Sequence, residues 1–239
     1  MKNLTLNPKL TIQEVLIPNT NLHAYIIDDF LLNTDSVMNF AKNIAYYNPM
    51  HADNSYYPGV RDNMPEPYIR LLQAFFQDSI IPKLVECEGC STIVHKSLIS
   101  LVTCPPSQLL TEQKMPHVDS CKNSEYAFVH YLSGEELGGT SIYRYIPKDI
   151  IQLKEQDENI LDDMLNEVIS KSAEHNGYIT NSTSLFEQVL KIDAKLNRLV
   201  IYQGNLLHGA NLTSKESYSG DTNNGRFSIT SFASIVSKQ

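Results

Sequence analysis

The chain has 239 residues, 42% of them apolar and 19% charged, which is enough to build the core of one large domain. Its 27 acidic against 19 basic residues give a net charge of -8, so it lacks the basic footprint that phosphate backbones require, and nucleic acid is discounted as a partner. No apolar run approaches the ~20 residues of a membrane span, and Met1–Leu10 has two lysines with no apolar stretch behind them, so the reading expects no signal peptide, no membrane and a cytoplasmic location.

Met1–Thr20 reads as an extended lead-in with an early strand, and Leu22–Ile27 as a strand. A helix follows, with Thr34 as its N-cap, Asp35 in its first turn, and Val37, Phe40, Ala41 and Ile44 at helical spacing. Asn48–Pro67 is dense in Asn, Pro, Asp, Gly and Tyr and reads as a loop. Glu66–Leu84 resumes a helical period, with Ile69, Leu72, Phe75, Phe76 and Ile80 apolar. Cys87-Glu-Gly-Cys90 is a lone CxxC, a weak zinc or redox signal without a second pair, and the cysteines read as ordinary thiols in a reducing compartment. Residues 1–90 thus read as helical support.

From Ser91 the pattern turns to β. Ile93–Val102, Tyr126–Leu132, Thr140–Tyr145, Arg198–Gln203, Leu206–His208 and Arg226–Ile235 read as strands, and the turn residues between them suggest antiparallel pairing. Residues 147–197 read as an insert whose first half is an amphipathic helix packed outside the β core, or a lid over a substrate. The expected class is mainly β with flanking helices (α+β), in one domain spanning 1–239.

The chemistry is concentrated at Met115-Pro116-His117-Val118-Asp119. In an extended segment residues i and i+2 share a face, so His117 and Asp119 project together. Joined by a later histidine, they make a two-histidine, one-carboxylate triad on one face of an octahedral ion, with positions left open for a cosubstrate and O₂. The bare pattern is unspecific, since about 0.4 His-x-Asp triplets arise by chance in this composition. His51-Ala52-Asp53 is such a decoy, lying in the polar loop. Around His117 the order of segments differs. Tyr131-Leu132-Ser133, Gly138-Gly139-Thr140, Leu199 through Gly204 to His208-Gly209, and Gly225-Arg226-Phe227-Ser228 follow in turn. Arginine matches a carboxylate with two parallel bonds and stays charged, so Arg226 suits a distal carboxylate, and Ser228 shares its face.

In this order the segments resemble the 2-oxoglutarate/Fe(II)-dependent oxygenase superfamily, and within it the prolyl-4-hydroxylase-like branch. More closely, the chain resembles a bacterial group of such oxygenases with a Tyr-Pro-Gly-Val-Arg loop, a Gly-Gly-Thr strand entry and an Asn-Arg-Leu-Val-Ile-Tyr strand. Here these are Tyr57–Arg61, Gly138–Thr140 and Asn197–Tyr202. The resemblance covers the chain from about Leu22 onward. It implies a double-stranded β-helix (jelly-roll, cupin-like) core, Fe(II) on His117, Asp119 and His208, 2-oxoglutarate on Arg226, and O₂ as co-reactant. Two features depart from the branch. It usually places lysine where Arg226 stands, and the stretch from His208 to Arg226 is long, with a polar filler at Ser214–Asn224. The presence of Asp119 implies hydroxylation, because halogenases of the superfamily lack that carboxylate.

Tyr131 and Tyr202 are further candidates for 2-oxoglutarate, against a core role for each. Arg61 and Arg144 are candidates for the substrate, an amino acid, a peptide or a small metabolite. For Arg61 the competing reading is a loop brace. His130, beside Tyr131 on a strand, reads as structural or surface, and His23, His95 and His175 carry no pattern. Two other functions remain open: a cupin-like divalent-metal hydrolase or isomerase that activates water, and a non-catalytic metal or 2-oxoglutarate sensor.

Overall fold

A computed structural model describes residues 1, 4–84 and 89–236. In chain order the elements are β1 (Thr11–Leu16), β2 (His23–Asp28), α1 (Asp35–Asn39) continued by a π turn (Phe40–Ile44), and β3 (Gly59–Asn63). Then come α2 (Glu66–Phe75), which runs through a second π turn (Phe76–Ile80) into α3 (Ile81–Leu84), β4 (Ser91–Val102), β5 (Glu125–Tyr131) and β6 (Gly139–Tyr145). The chain closes with α4 (Glu158–Ser170), β7 (Phe186–Ile192), β8 (Leu199–Gln203), β9 (His208–Asn211) and β10 (Phe227–Val236). The fold is mainly β, and the pairs are antiparallel. One sheet has the order β1-β2-β8-β5-β10-β4-β3 and the other β7-β6-β9. From β5 onward the chain alternates between them: β5 in the large sheet, β6 and β7 in the small, β8 in the large, β9 in the small and β10 in the large.

The period of two along each strand sorts the side chains into layers. On β5, Tyr126 and Phe128 pack with Phe76, Leu72 and Phe30 on the helical side of the large sheet. Ala127, Val129 and Tyr131 face the other way, into a core with Ile142 of β6 and Ile192 of β7. β8 divides likewise, with Leu199 and Ile201 toward the helices and Val200 and Tyr202 toward the small sheet. Strands buried on both faces read as continuous apolar runs, which is why their existence was plain in the sequence. The far side of the small sheet, with Tyr143, Tyr145 and Phe186, is covered by Met164 and Val168 of α4.

Several expectations need correction. β3 lies inside the stretch read as a loop. Its turn-rich composition hid an edge strand that pairs with β4 from Gly59↔Val102 to Asn63↔Leu98. β7 lies inside the insert, where alternating polar residues masked an edge strand of the small sheet. Thr34 makes no side-chain cap. The Asp35 N–H instead donates to Asn33 Oδ1 at 2.5 Å, and Ile44 is exposed rather than buried. Cys87 lies outside the described residues, and Cys90 is disulfide-bonded rather than an ordinary thiol. Among the described residues no helix is long and apolar enough to cross a membrane.

Two of the recognised segments are structural fasteners. Gly138 sits at φ +91°, and a Cβ there would stand 2.0 Å from the Asn211 carbonyl oxygen, so the turn into β6 demands glycine. At Asn197, φ +66°, the side-chain amide takes the Leu31 N–H at 3.0 Å and donates to the Leu31 carbonyl at 2.8 Å. Its Oδ1 lies 3.2 Å from His130 Nε2, and the Tyr68 hydroxyl lies 3.0 Å from His130 Nδ1. Because the Leu31 backbone fixes the amide's orientation, Nε2 of His130 is the donor and Nδ1 the acceptor. Arg198 grips both oxygens of Asp28, at 2.6 and 3.1 Å. His130 is thus a buried structural residue, as expected.

Candidate metal centre and its cavity

His117, Asp119 and His208 come together where the loop before β5 passes the start of β9. The N–H groups of His117 and His208 each donate to the other residue's carbonyl at 2.9 Å, and the Asp119 N–H donates to the Gly204 carbonyl at 2.8 Å. This backbone frame sets the side chains. Their candidate ligand atoms all lie within 4.8 Å of one another. His208 Nε2 is 3.3 Å from Asp119 Oδ2, and His117 Nε2 is 3.8 Å from Asp119 Oδ1. His208 Nδ1 donates to the Leu206 carbonyl at 2.9 Å, which fixes the tautomer that leaves the Nε2 lone pair toward Asp119.

His208 is buried against the Tyr202 ring, with centroids 4.9 Å apart, while over half of the His117 side chain is open to the cavity. Enclosure in the cavity, away from bulk water, holds the His117 imidazole well below its usual range, and the charges of His208 and Arg61 push the same way. Burial raises the Asp119 carboxyl, against the lowering effect of His208 and Arg61. Neutral imidazole is the ligating form, and a divalent cation between the three groups would hold the carboxylate ionised, so this donor set fits such an ion.

A cavity of about 630 Å³ opens onto these residues from between the sheets. Its inner wall carries Arg61 of β3, Lys96 of β4, Ser228 and Thr230 of β10, and Arg226 just ahead of β10. Arg226 is buried, donates from Nη2 to the Gly139 carbonyl at 3.2 Å, and stands 5.7 Å from the Tyr131 ring centre. Its Nε, the Ser228 hydroxyl and the Tyr57 hydroxyl are buried without hydrogen-bond partners among the described residues. Buried polar atoms are nearly always satisfied, so three orphans on one cavity wall mark the place of a polar ligand.

Tyr57 was not singled out as a site residue, although it opens the Tyr-Pro-Gly-Val-Arg segment. Its ring lies under the Arg61 guanidinium, 3.9 Å from carbon to centroid. Tyr131 is committed elsewhere, its hydroxyl 2.6 Å from Thr140 Oγ1. Arg144 stands apart from the cavity lining, ion-paired with Asp149 and Glu187. The decoy residue Asp53 has a clear structural role: it binds Arg61 Nη1 and Lys96 Nζ, both at 3.1 Å. Burial alone would raise its carboxyl, but Ser55, Lys96 and Arg61 together hold it well below the usual range. The insert reaches the cavity too, through Leu161 and Leu165 of α4 and through Tyr178 and Ile179 beyond it.

Fold and site together define a mainly antiparallel β protein with a His-Asp-His cluster opening on a cavity that has one polar wall. The chain belongs to the family of unknown function DUF6445, which it matches over residues 8–233. No curated protein matches it. Among solved structures it is similar to AviO1 from Streptomyces viridochromogenes Tue57, at 12% identity and a TM-score of 0.37, covering 83% of this chain and 79% of that one. It is similar to EvdMO1 at 12% identity and a TM-score of 0.32, covering 74% and 32%. It is also similar to a novel N-substituted L-amino acid dioxygenase from Burkholderia ambifaria AMMD, at 9% identity and a TM-score of 0.41, covering 90% and 83%. Likenesses this remote carry no weight for function.

Proposed function

We propose that the protein is a non-haem Fe(II)/2-oxoglutarate-dependent oxygenase, a hydroxylase built on a double-stranded β-helix core. One observation carries the reading. The His117, Asp119 and His208 candidate ligand atoms lie within 4.8 Å of one another, and the same cavity holds a buried arginine whose Nε has no partner among the described residues. The alternation of strands between two sheets from β5 to β10 supports the core assignment.

His117, Asp119 and His208 would hold the metal, and three protein ligands leave positions open for other groups. Bound Fe(II), with 2-oxoglutarate and O₂, supplies the redox chemistry that oxidises a substrate while 2-oxoglutarate becomes succinate and CO₂. Arg226 holds the distal carboxylate of 2-oxoglutarate, with Nε as the free donor and Ser228 and Tyr57 adding hydroxyls. Tyr131 braces the guanidinium, and Tyr202 packs on His208 and excludes water from it. Leu161, Leu165 and Ile179 close the mouth with apolar surface, which fits a lid role for part of 147–197. Arg144 has no part in this site.

The test is an anaerobic titration with Fe(II), then 2-oxoglutarate, following the weak visible charge-transfer band of the chelate. The band is expected in the wild type, lost in His117→Ala, and reached only at far higher cosubstrate in Arg226→Ala. Iron binding without a band would end the oxygenase reading and leave a metal hydrolase or a sensor.

A further inference from the structure

We infer that Arg61 is a second anion anchor in the cavity, and that the substrate is a small molecule whose carboxylate Arg61 holds. This rests on the oxygenase reading of the same site.

The argument begins with register. Arg61 of β3 stands opposite Ser100 of β4, Ser100 opposite Ser228 of β10, and Ser228 opposite Tyr131 of β5. These four residues form one row across the inner face of the large sheet. Neighbouring strands lie ~4.8 Å apart, so Arg61 sits roughly 10 Å along the wall from Ser228. Arg61 on β3 and Arg226 just ahead of β10 thus enter the same cavity from different places, with Tyr57 between them.

Arg61 is also held ready for a ligand. Its guanidinium lies flat on Tyr57, and its Nη1 is tied to Asp53 at 3.1 Å and to the Ser55 hydroxyl at 3.2 Å. Those contacts fix the plane of the group and leave the Nε side unused. Nε is buried with no partner among the described residues. The edge formed by Nε and Nη2 matches a carboxylate with two parallel bonds. The local charge agrees, because Asp53 is shared by Arg61 and Lys96, one carboxylate between two cations. A donor edge left unused on the cavity wall is more than a brace requires. Occupation of the Arg226 pocket by 2-oxoglutarate, within about 630 Å³, keeps the substrate small.

The test uses full-length protein loaded with Mn(II) and 2-oxoglutarate. The probes are 2-hydroxy acids, free L-amino acids and N-acetyl-L-amino acids, each matched by its carboxamide. Mn(II)-induced relaxation of probe protons reports binding near the metal without turnover. Some acids are expected to bind at least roughly tenfold more tightly than their amides, as a lost charge-assisted bond implies. Arg61→Gln should erase that ratio, and Arg61→Lys should restore part of it. Arg61→Lys keeps the charge and serves as the folded control if Arg61→Gln folds poorly, since only the change of ratio between wild type and variant reports Arg61. Equal binding of acids and amides, or an unchanged ratio in Arg61→Gln, would overturn the inference. If 2-oxoglutarate itself fails to bind, the oxygenase reading falls, and the difference in acid-to-amide ratio between wild type and Arg61→Gln with Mn(II) alone still tests Arg61, because direct chelation of the metal is common to both.

Discussion

The main-chain N–H of His117 donates to the His208 carbonyl, and the His208 N–H returns the bond, each at 2.9 Å. Residues from distant parts of the sequence are thereby directly opposed, and their imidazole centroids stand 4.4 Å apart. The backbone thus positions the imidazoles before any ion arrives. Mn(II) or Fe(II) should therefore raise the melting temperature of the wild type, since an ion that binds only the folded state stabilises it. His208→Ala and Asp119→Ala should fold but lose that rise, with metal affinity falling by more than the 10- to 100-fold typical of losing an outer hydrogen bond to a ligand. A full metal-induced rise in either variant would remove that residue from the site.

The orphan hydroxyls of Ser228 and Tyr57 make a prediction with two opposite signs. Among the described residues neither buried hydroxyl has a hydrogen-bond partner, so in the ligand-free protein Ser228→Ala and Tyr57→Phe should leave stability unchanged or slightly raised. In the presence of 2-oxoglutarate each should weaken binding by roughly three- to tenfold, and Arg226→Gln by roughly a hundredfold. Calorimetric titration and thermal melts on the same samples separate the two effects. Loss of ligand-free stability in both hydroxyl variants would show that the groups are structural.

The His117, Asp119 and His208 cluster was legible because its signals are local or ordered. His117 and Asp119 lie two apart in an extended segment, and His208 closes a strongly apolar run. Arg226 was legible through its place after that run. Tyr57 and the β3 strand that carries Arg61 were not, because Pro58, Gly59, Asp62 and Asn63 give that stretch the composition of a turn. Its conformation comes from β4, a partner far along the chain, and no local pattern encodes that pairing. β7 was lost for a similar reason: an edge strand with half-exposed polar positions resembles a solvated insert. Arg144 shows the converse failure. A charged residue on a core strand looked functional, but it pairs with Glu187 and Asp149 away from the cavity lining.

Gly138→Ala should be costly at a distance from the metal. The residue combines φ +91° with a 2.0 Å approach to the Asn211 carbonyl, and Asn211 ends the strand that His208 begins. The next residue, Gly139, supplies the carbonyl that receives Arg226 Nη2. A loss of at least about 2 kcal/mol in urea unfolding is expected from the strained backbone and the clash together. Weakened 2-oxoglutarate binding should accompany it, through displacement of the Gly139 carbonyl. Wild-type stability in Gly138→Ala would show that the turn relaxes freely.

His130 should make the fold acid-sensitive in a defined window. Burial lowers its pKa from 6.5 to about 4, with the Asn197 hydrogen bond opposing the shift. The unfolded chain therefore binds a proton at this site before the folded chain does. The contribution is fully present above pH 6.5 and is lost progressively as the pH falls through about 4. The total is about 3 kcal/mol, from 1.36 kcal/mol per pKa unit. Asp28 and Asp53, whose carboxyls are lowered, give up their contributions only below the usual carboxylate value of 3.8, so they do not blur this window. His117 and His175 are lowered as well and slope the same way, so the test is a difference. Metal-free wild type and His130→Gln are unfolded in urea across the window. The variant should be less stable at neutral pH, having lost the Tyr68 contact, and its stability should fall less steeply with acid. Equal slopes for the two proteins would show that His130 titrates normally in the fold.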